Sequence, residues 1–160
     1  MFRFSGLRWI PARLRTLATE VHNKPNELNL TLASPGQVFY EKKVVKQVDI
    51  PGMSGMLGVV AEHVPTIGVL KPGLVNVTEE DGVIKKIFVS SGSFTVNADS
   101  TIQILAEEAV TIDMLDAQAI REGLSHAQSE LNSASSEQAK AEKQILLETY
   151  ESLQKAVDEK

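Results

Sequence analysis

The sequence has 160 residues, and its 16 lysines and arginines against 21 aspartates and glutamates give a formal charge of −5. Because cysteine is absent, a disulfide scaffold, a thiolate metal site and a cysteine nucleophile are excluded. No run approaches the roughly 20 apolar residues of a membrane-spanning helix, and the three histidines are scattered. The composition favours a globular protein without a histidine-rich metal centre.

The first 19 residues differ in charge from the rest of the chain. They contain no acidic residue and four arginines, which are Arg3, Arg8, Arg13 and Arg15. The remainder therefore holds 12 basic and 21 acidic residues, a charge of −9. This acidic balance argues against non-specific nucleic-acid binding, which depends on lysines and arginines at the phosphates.

The basic leader is typical of a mitochondrial transit peptide. Its arginines interrupt the apolar residues, such as Phe2, Trp9 and Leu14, whereas a secretory signal needs a continuous apolar core. The stretch Arg15–Ala18 resembles a matrix-protease site, so cleavage is expected between residues 17 and 22. We interpret residues 1–19 as the transit peptide and 20–27 as a connector. A basic tail without an import function is the alternative.

Residues 28–112 are predicted to form a β-sandwich domain. Apolar and polar residues alternate, as in Leu28–Leu32, with the period of a half-buried strand. Turn signals recur at Pro35-Gly36, Pro51-Gly52, Pro72-Gly73 and Asp81-Gly82. Val75–Thr78 and Val83–Val89 are predicted to pair as a hairpin. Short strands at this spacing, with no helical pattern between them, indicate a sandwich or flattened barrel.

Residues 113–160 are predicted to form an antiparallel two-helix hairpin, so the fold class is α+β with the strands first. The apolar period changes to three or four residues. The stripe residues that are candidates for hairpin packing or a partner interface are Ile120, Leu124, Leu131, Leu146, Tyr150 and Leu153. Asp113 is expected to cap the first helix, and Ser135 the second. Because a two-helix hairpin has little core, it should pack on the β-domain or on another chain.

The acidic and serine-rich segments do not form a catalytic set. Glu107 and Glu108 are adjacent in a predicted strand and so point to opposite faces. The acids at 79–81 fall in a hairpin turn, where solvation is expected, and lack the spacing of a calcium loop. Ser90–Ser93 lacks the flanking glycines of a nucleophile elbow. We therefore assign no catalytic, cofactor-binding or metal-binding residue.

One glycine-rich segment is unusual for a plain β-domain. Gly52, Gly55 and Gly58 recur every three residues and permit sharp turns. Met53 and Met56 lie between these glycines, and His63 follows the segment. The spacing favours a tight corner with a hydrogen-bonded histidine, and an interface loop is the alternative.

Several segments occur together in the order and spacing of a known family. They are Gly52–Val59, His63-Val64-Pro65, Leu70–Gly73, Val89–Ser93, Val96-Asn97 and Leu105–Ala109. From about residue 28 to its end, the chain resembles the δ subunits of mitochondrial F-type ATP synthases, the counterparts of bacterial and chloroplast ε subunits. The ordered set, the change from strands to helices and the leader carry this resemblance.

The resemblance implies a non-catalytic rotor subunit of the central stalk, which couples proton flow to ATP synthesis. Its expected partners are the γ subunit, the small mitochondrial ε subunit and the c-ring. It would lie on the matrix side of the inner membrane, peripheral to it through the c-ring. The family pattern places Ser54, Gly55, Met56 and His63 on or near the surface that faces the ring.

The chain departs from the family at one regulatory motif. Some bacterial relatives bind ATP through Ile-Asp-x-x-Arg-Ala at the start of the first helix. Here Ile112–Ala117 carries Asp116 in place of the arginine. Because an acid repels a phosphate, no regulatory ATP is expected.

Two other functions stay open on the sequence. A free-standing matrix adaptor or chaperone would use the helical hairpin to hold client proteins. A small-ligand-binding or hydrolytic β-sandwich would need converging polar groups, with His63 as its first candidate, and ranks last.

Overall fold

The computed structural model describes residues 26–159. The strands in this range are β1 (Leu28–Ser34), β2 (Gln37–Val45), β3 (Gln47–Gly52), β4 (Gly55–Val59), β5 (Thr66–Leu70), β6 (Gly73–Thr78), β7 (Ile84–Val89), β8 (Gly92–Val96), β9 (Thr101–Ala106) and β10 (Ala109–Thr111). A 3-10 turn (Ile112–Met114) leads into helices α1 (Ala117–Ser133) and α2 (Glu137–Asp158). The predicted transit peptide lies outside the described residues, as does most of the connector.

The strands form one sheet that folds over into a sandwich. Their hydrogen-bonded order is β10-β7-β6-β3-β5-β8-β9-β1-β2, and β4 pairs with β3 beside this path. The pairing of β1 with β9 is parallel, whereas the other ladders are antiparallel. The sheet turns its corner at β3, because Gln47–Asp49 pair with β6 while Gly52 pairs with Leu70 of β5. The predicted sandwich and the predicted β6–β7 hairpin are confirmed.

The space between the two layers is filled by aliphatic side chains at alternate strand positions. Leu30 and Leu32 of β1 are buried beside Ile102 and Ile104 of β9, because the parallel register pairs them directly. Full burial of such a side chain contributes roughly 1.5–3 kcal/mol. The alternation seen in the sequence therefore builds the core, while the intervening residue Thr31 is partly exposed.

Both helices begin later than the sequence suggested. The expectation that Asp113 caps the first helix is wrong, since Asp116 caps α1 and accepts hydrogen bonds from the N–H groups of Gln118 (2.8 Å) and Ala119 (3.3 Å). Ile112 in the 3-10 turn is buried against Leu74 and Phe88 of the sheet. Because this contact holds residues 112–114 at the sheet, α1 begins only after the turn.

The predicted cap of the second helix is wrong by one residue. Ser136, not Ser135, caps α2, and its Oγ accepts from the N–H of Ala139 at 3.1 Å. Helix α1 continues to Ser133. The chain then needs extended residues to reverse its direction, so the cap of α2 lies one residue later than expected.

The hairpin packs on the sandwich through a second, smaller apolar cluster. Leu74 of β6, Phe88 of β7, Ile112 and Ala156 of α2 are buried together, and Leu153 packs against them. The expectation that the hairpin would lean on the β-domain is confirmed. Within residues 26–159, neither helix has the length and apolar character needed to cross a membrane.

Candidate interaction surfaces

The glycine-rich segment forms the tight hairpin between β3 and β4. Met53 and Ser54 make the turn, and Gly55 follows with φ of +122°, a conformation that residues with a Cβ rarely adopt. Ser54, Gly55 and Met56 are exposed. The structure therefore brings three of the four predicted ring-facing residues together at one tip, which we call the β3–β4 tip (residues 53–56).

His63 lies at the opposite end of β4 from this tip. At about 3.3 Å per residue, the five residues of β4 separate the two ends by roughly 13 Å. The half-buried His63 ring has Nδ1 2.8 Å from the carbonyl oxygen of Val64, so the expected hydrogen bond is present. A surface that includes all four predicted residues must extend along the whole of β4.

The β3–β4 tip continues into an apolar patch on strand β5. Met53 and Met56 are 68% and 62% exposed, and Ile67 and Val69 of β5 are also exposed. With the edge of Phe94, these residues line a depression of about 250 Å³. Exposed apolar patches on a folded protein mark sites of contact with other molecules.

The same patch extends across the outer face of four further strands. In the ladder register, Val69 of β5 is followed by Ser93, Leu105, Ala33 and Val38, one on each successive strand. Val69, Leu105 and Val38 are each more than half exposed. This row was missed in the sequence, although apolar residues at outward positions of β5, β9, β1 and β2 are the signal that reveals it; on β8 the row carries the polar Ser93.

Glu79 belongs to an ion cluster at the other end of the sandwich. Its Oε1 accepts from Lys43 Nζ at 2.8 Å, from the Tyr40 hydroxyl at 3.1 Å, and pairs with Lys85 Nζ at 3.0 Å. The expectation that Glu79 is solvated in its turn is therefore wrong, since it is buried, although Glu80 is exposed.

The cluster changes the acidity of two of its members. Hydrogen bonds from Lys43 and Lys85 lower the pKa of Glu79 from 4.5 to about 2, against the opposing effect of burial. Burial, followed by the hydrogen bond to Glu79, raises the pKa of Tyr40 well above its usual range. The cluster fastens β2 to the β6–β7 turn beside a cavity of about 630 Å³. With two lysines and a hydroxyl on one carboxylate, we interpret it as structural.

The six predicted hairpin residues differ in burial. Ile120 is buried, and the other five, which are Leu124, Leu131, Leu146, Tyr150 and Leu153, are half-buried. The Tyr150 ring lies against Gly123 of α1. Leu153 packs on the smaller apolar cluster between α2 and the sheet. These residues pack within the chain, and the half-buried ones retain exposed area that a partner could cover.

Two buried helix residues escaped the sequence pattern. Leu147 shares a face with Lys143 and Tyr150, whose contacts are with α1, whereas Ala156 follows Leu153 on the face towards the sheet. Helix α2 packs on two partners and so needs a broad apolar face. A single-file stripe does not describe such a face.

Polar groups near β9 serve the strand connection. Glu107 and Glu108 lie in the bend between β9 and β10, so their expected place in a strand is wrong. Ser91 Oγ donates to Glu107 Oε2 at 2.7 Å, and the Glu108 N–H donates to Ser90 Oγ at 3.1 Å. Across residues 26–159, no group of three His, Asp or Glu side chains is placed to hold a metal ion.

A mostly antiparallel sandwich with a docked helical hairpin and an extended, largely apolar exposed surface defines a scaffold for protein–protein contact. The β-sandwich domain of the ATP synthase delta/epsilon chain matches residues 27–112, and the C-terminal domain of the metazoan delta subunit of F1F0-ATP synthase matches residues 115–156. The chain belongs to the ATP synthase delta/epsilon family.

Individual relatives agree over most of the chain. It is 48% identical to the mitochondrial ATP synthase subunit delta of Caenorhabditis elegans, over 87% of this chain and 85% of that protein. It is 40% identical to subunit delta of the mitochondrial ATP synthase F(1) complex of Dictyostelium discoideum, over 90% of this chain and 85% of that protein. These relatives do not favour the free-standing adaptor.

A solved structure shares the fold. A chain of the Euglena gracilis mitochondrial ATP synthase, from a cryo-EM structure of OSCP, F1 and c-ring, superimposes with a TM-score of 0.77. The two chains are 26% identical, and the match covers 88% of this chain and 87% of the other.

Proposed function

We propose that the chain is a non-catalytic rotor subunit in the central stalk of the mitochondrial proton-translocating ATP synthase. It would link the c-ring to the γ subunit and so couple proton flow to ATP synthesis in other chains. The observation that carries this proposal is the exposed apolar surface that runs from the β3–β4 tip across the outer sheet. Family membership and the likeness to a chain in an F1 and c-ring assembly support it.

Two parts of this surface support a linking role. The β3–β4 tip, with Ser54, Gly55 and Met56, is a tight turn whose residues are exposed, which suits contact with the c-ring. The row through Val69, Leu105 and Val38 crosses five strands of the outer face, which suits the γ subunit. The half-buried residues of the hairpin would contact γ or the small mitochondrial ε subunit. His63 would join the ring contact if that contact follows β4.

The start of α1 supports the absence of regulatory ATP. The Asp116 carboxylate occupies the helix N-terminus and accepts the N–H groups of Gln118 and Ala119. A phosphate at that position would have to displace the carboxylate and would meet its negative charge. We propose that the hairpin works without a nucleotide.

The proposed location is the matrix side of the inner membrane. The leader, with its four arginines among apolar residues and no acid, would direct import and be removed near residues 17–22. The mitochondrial relatives support this location. Contact with the c-ring would hold the mature chain at the membrane.

A pair of matched variants tests the role of the tip. Met56 and Val83 are both exposed apolar residues, but Val83 lies in the β6–β7 turn, away from the tip. In mitochondria that lack their own copy, the tagged wild-type chain should co-purify with γ and restore ATP synthesis. Met56→Glu should weaken the c-ring association and lower ATP synthesis relative to hydrolysis, whereas Val83→Glu should match wild type. Absence of the wild-type chain from the purified complex would refute the proposal.

A further inference from the structure

Two of the three exposed methionines in residues 26–159 lie at the β3–β4 tip. Met53, Met56 and Met114 are each more than 60% exposed in the described part of the chain. An exposed thioether is readily oxidised to the sulfoxide, which is polar and chiral. Met53 and Met56 flank Ser54-Gly55 and line the apolar depression beside β5. Met114 lies outside that depression, in the 3-10 turn before α1.

We propose that Met53 and Met56 form a peroxide-sensitive modification site, whose oxidation to methionine sulfoxide weakens the binding of the free chain to the c-ring. The proposal rests on the function proposed above and adds a regulatory chemistry to the same tip. The oxidant is a hydroperoxide. A sulfur lone pair attacks one peroxide oxygen, the S–O bond forms as the O–O bond breaks, and the proton moves to the departing oxygen, which leaves as water or an alcohol.

The backbone at the tip is held independently of the two sulfur atoms. The Met53 N–H donates to the Val69 carbonyl oxygen at 3.1 Å, and Met56 pairs with Pro51 in the β3–β4 ladder. Both side chains point into solvent, and neither belongs to the buried core. Oxidation therefore changes the surface of the tip and leaves the fold intact.

The effect on docking follows from desolvation. Docking would remove water from the sulfoxide oxygen without supplying a hydrogen-bond donor in its place. The free energy lost is similar to that for other buried unpaired polar groups and corresponds to at least about a tenfold loss of affinity. In the assembled complex the ring covers the tip and shields both sulfur atoms. The vulnerable form is therefore the unassembled chain, and methionine sulfoxide reductases of both epimer specificities would restore it.

The test compares the full chain in three forms, which are the wild type, Met53→Leu/Met56→Leu and Met114→Leu. Each is treated with hydrogen peroxide, mapped for sulfoxide by peptide mass spectrometry, and bound to ATP synthase depleted of this subunit. Each treated sample is compared with its own untreated sample. Binding should fall at least about tenfold for the wild type and Met114→Leu, and stay unchanged for the double variant. Reductase treatment should restore binding of the oxidised wild type.

Several outcomes overturn the proposal. One is undiminished binding by wild-type chain that carries sulfoxide at both positions. Another is equal oxidation of Met53 and Met56 in the free and assembled chain, because the ring should protect them but not Met114. If the untreated double variant fails to bind, the proposal is tested by two other measurements. These are the restoration of wild-type binding by the reductases and the protection of Met53 and Met56 from oxidation in the assembled chain. Failure of untreated wild type to bind would instead refute the proposed function.

Discussion

The helical hairpin contains a close contact between Gly123 of α1 and the ring of Tyr150 of α2. A Cβ added at Gly123 would stand 2.5 Å from Cζ and 2.8 Å from Oη of Tyr150, whereas ordinary contact begins near 3.4 Å. Alanine is the better helix former by about 1 kcal/mol, but overpacking costs about 1–3 kcal/mol. We expect Gly123→Ala to destabilise the chain by about 1 kcal/mol, because the ring or the helix must move.

Removal of the ring should reverse the sign of this effect. In a Tyr150→Ala background the space beside Gly123 is open, so Gly123→Ala should stabilise the chain by about 1 kcal/mol through helix propensity alone. The coupling between the two sites is then about 2 kcal/mol, within the range for residues in contact.

Urea unfolding of the four chains, followed by circular dichroism, measures the cycle. Ser125→Ala, at an exposed position of the same helix, serves as a control and should change stability by less than about 0.5 kcal/mol in either background. The reasoning is refuted if Gly123→Ala shifts stability in the same direction with and without the tyrosine ring.

Two further predictions concern the ion cluster and the second helix cap. The pKa of Glu79 falls from 4.5 to about 2 on folding, so its stabilising effect is present above pH 4.5 and is lost as the pH falls towards 2. Glu79→Gln should therefore lower the urea midpoint at pH 7, and the difference from wild type should shrink below pH 4.5; a difference independent of pH would contradict this. Ser136→Ala should cost about 1 kcal/mol in thermal unfolding, whereas Ser135→Ala should be near neutral, and the reverse order would restore the cap expected from the sequence.

The strands of the sandwich could be predicted because their signal is local. Alternation in Leu28–Leu32 and the turn at Glu79–Gly82 reflect the two-residue period of a strand and the backbone needs of a tight turn. The position of Glu79 in the cluster had no such signal. Lys43 is 36 residues away along the chain, and the fold alone brings its ammonium to the carboxylate.

The candidate tip was predicted in part. Glycine spacing indicated a sharp turn, and the structure places Ser54, Gly55 and Met56 at its tip. The sequence could not show that β4 separates His63 from this turn, because His63 follows the glycine-rich segment closely along the chain. It also could not show the outer row through Leu105 and Val38, since that row exists in the strand register and not along the chain.

The sequence by itself was sufficient to predict a β-domain followed by two helices, to identify the basic leader and to reveal the family motifs. Each of these features depends on residues that lie close together in the chain. The tertiary structure decided which residues share a surface and which charges meet. Packing also determined where both helices begin. Ile112 is buried against the sheet, so α1 begins only after Asp116. Because α1 extends to Ser133, the cap of α2 is Ser136. Burial and ladder register arise between distant segments, so they appear only when the chain is folded.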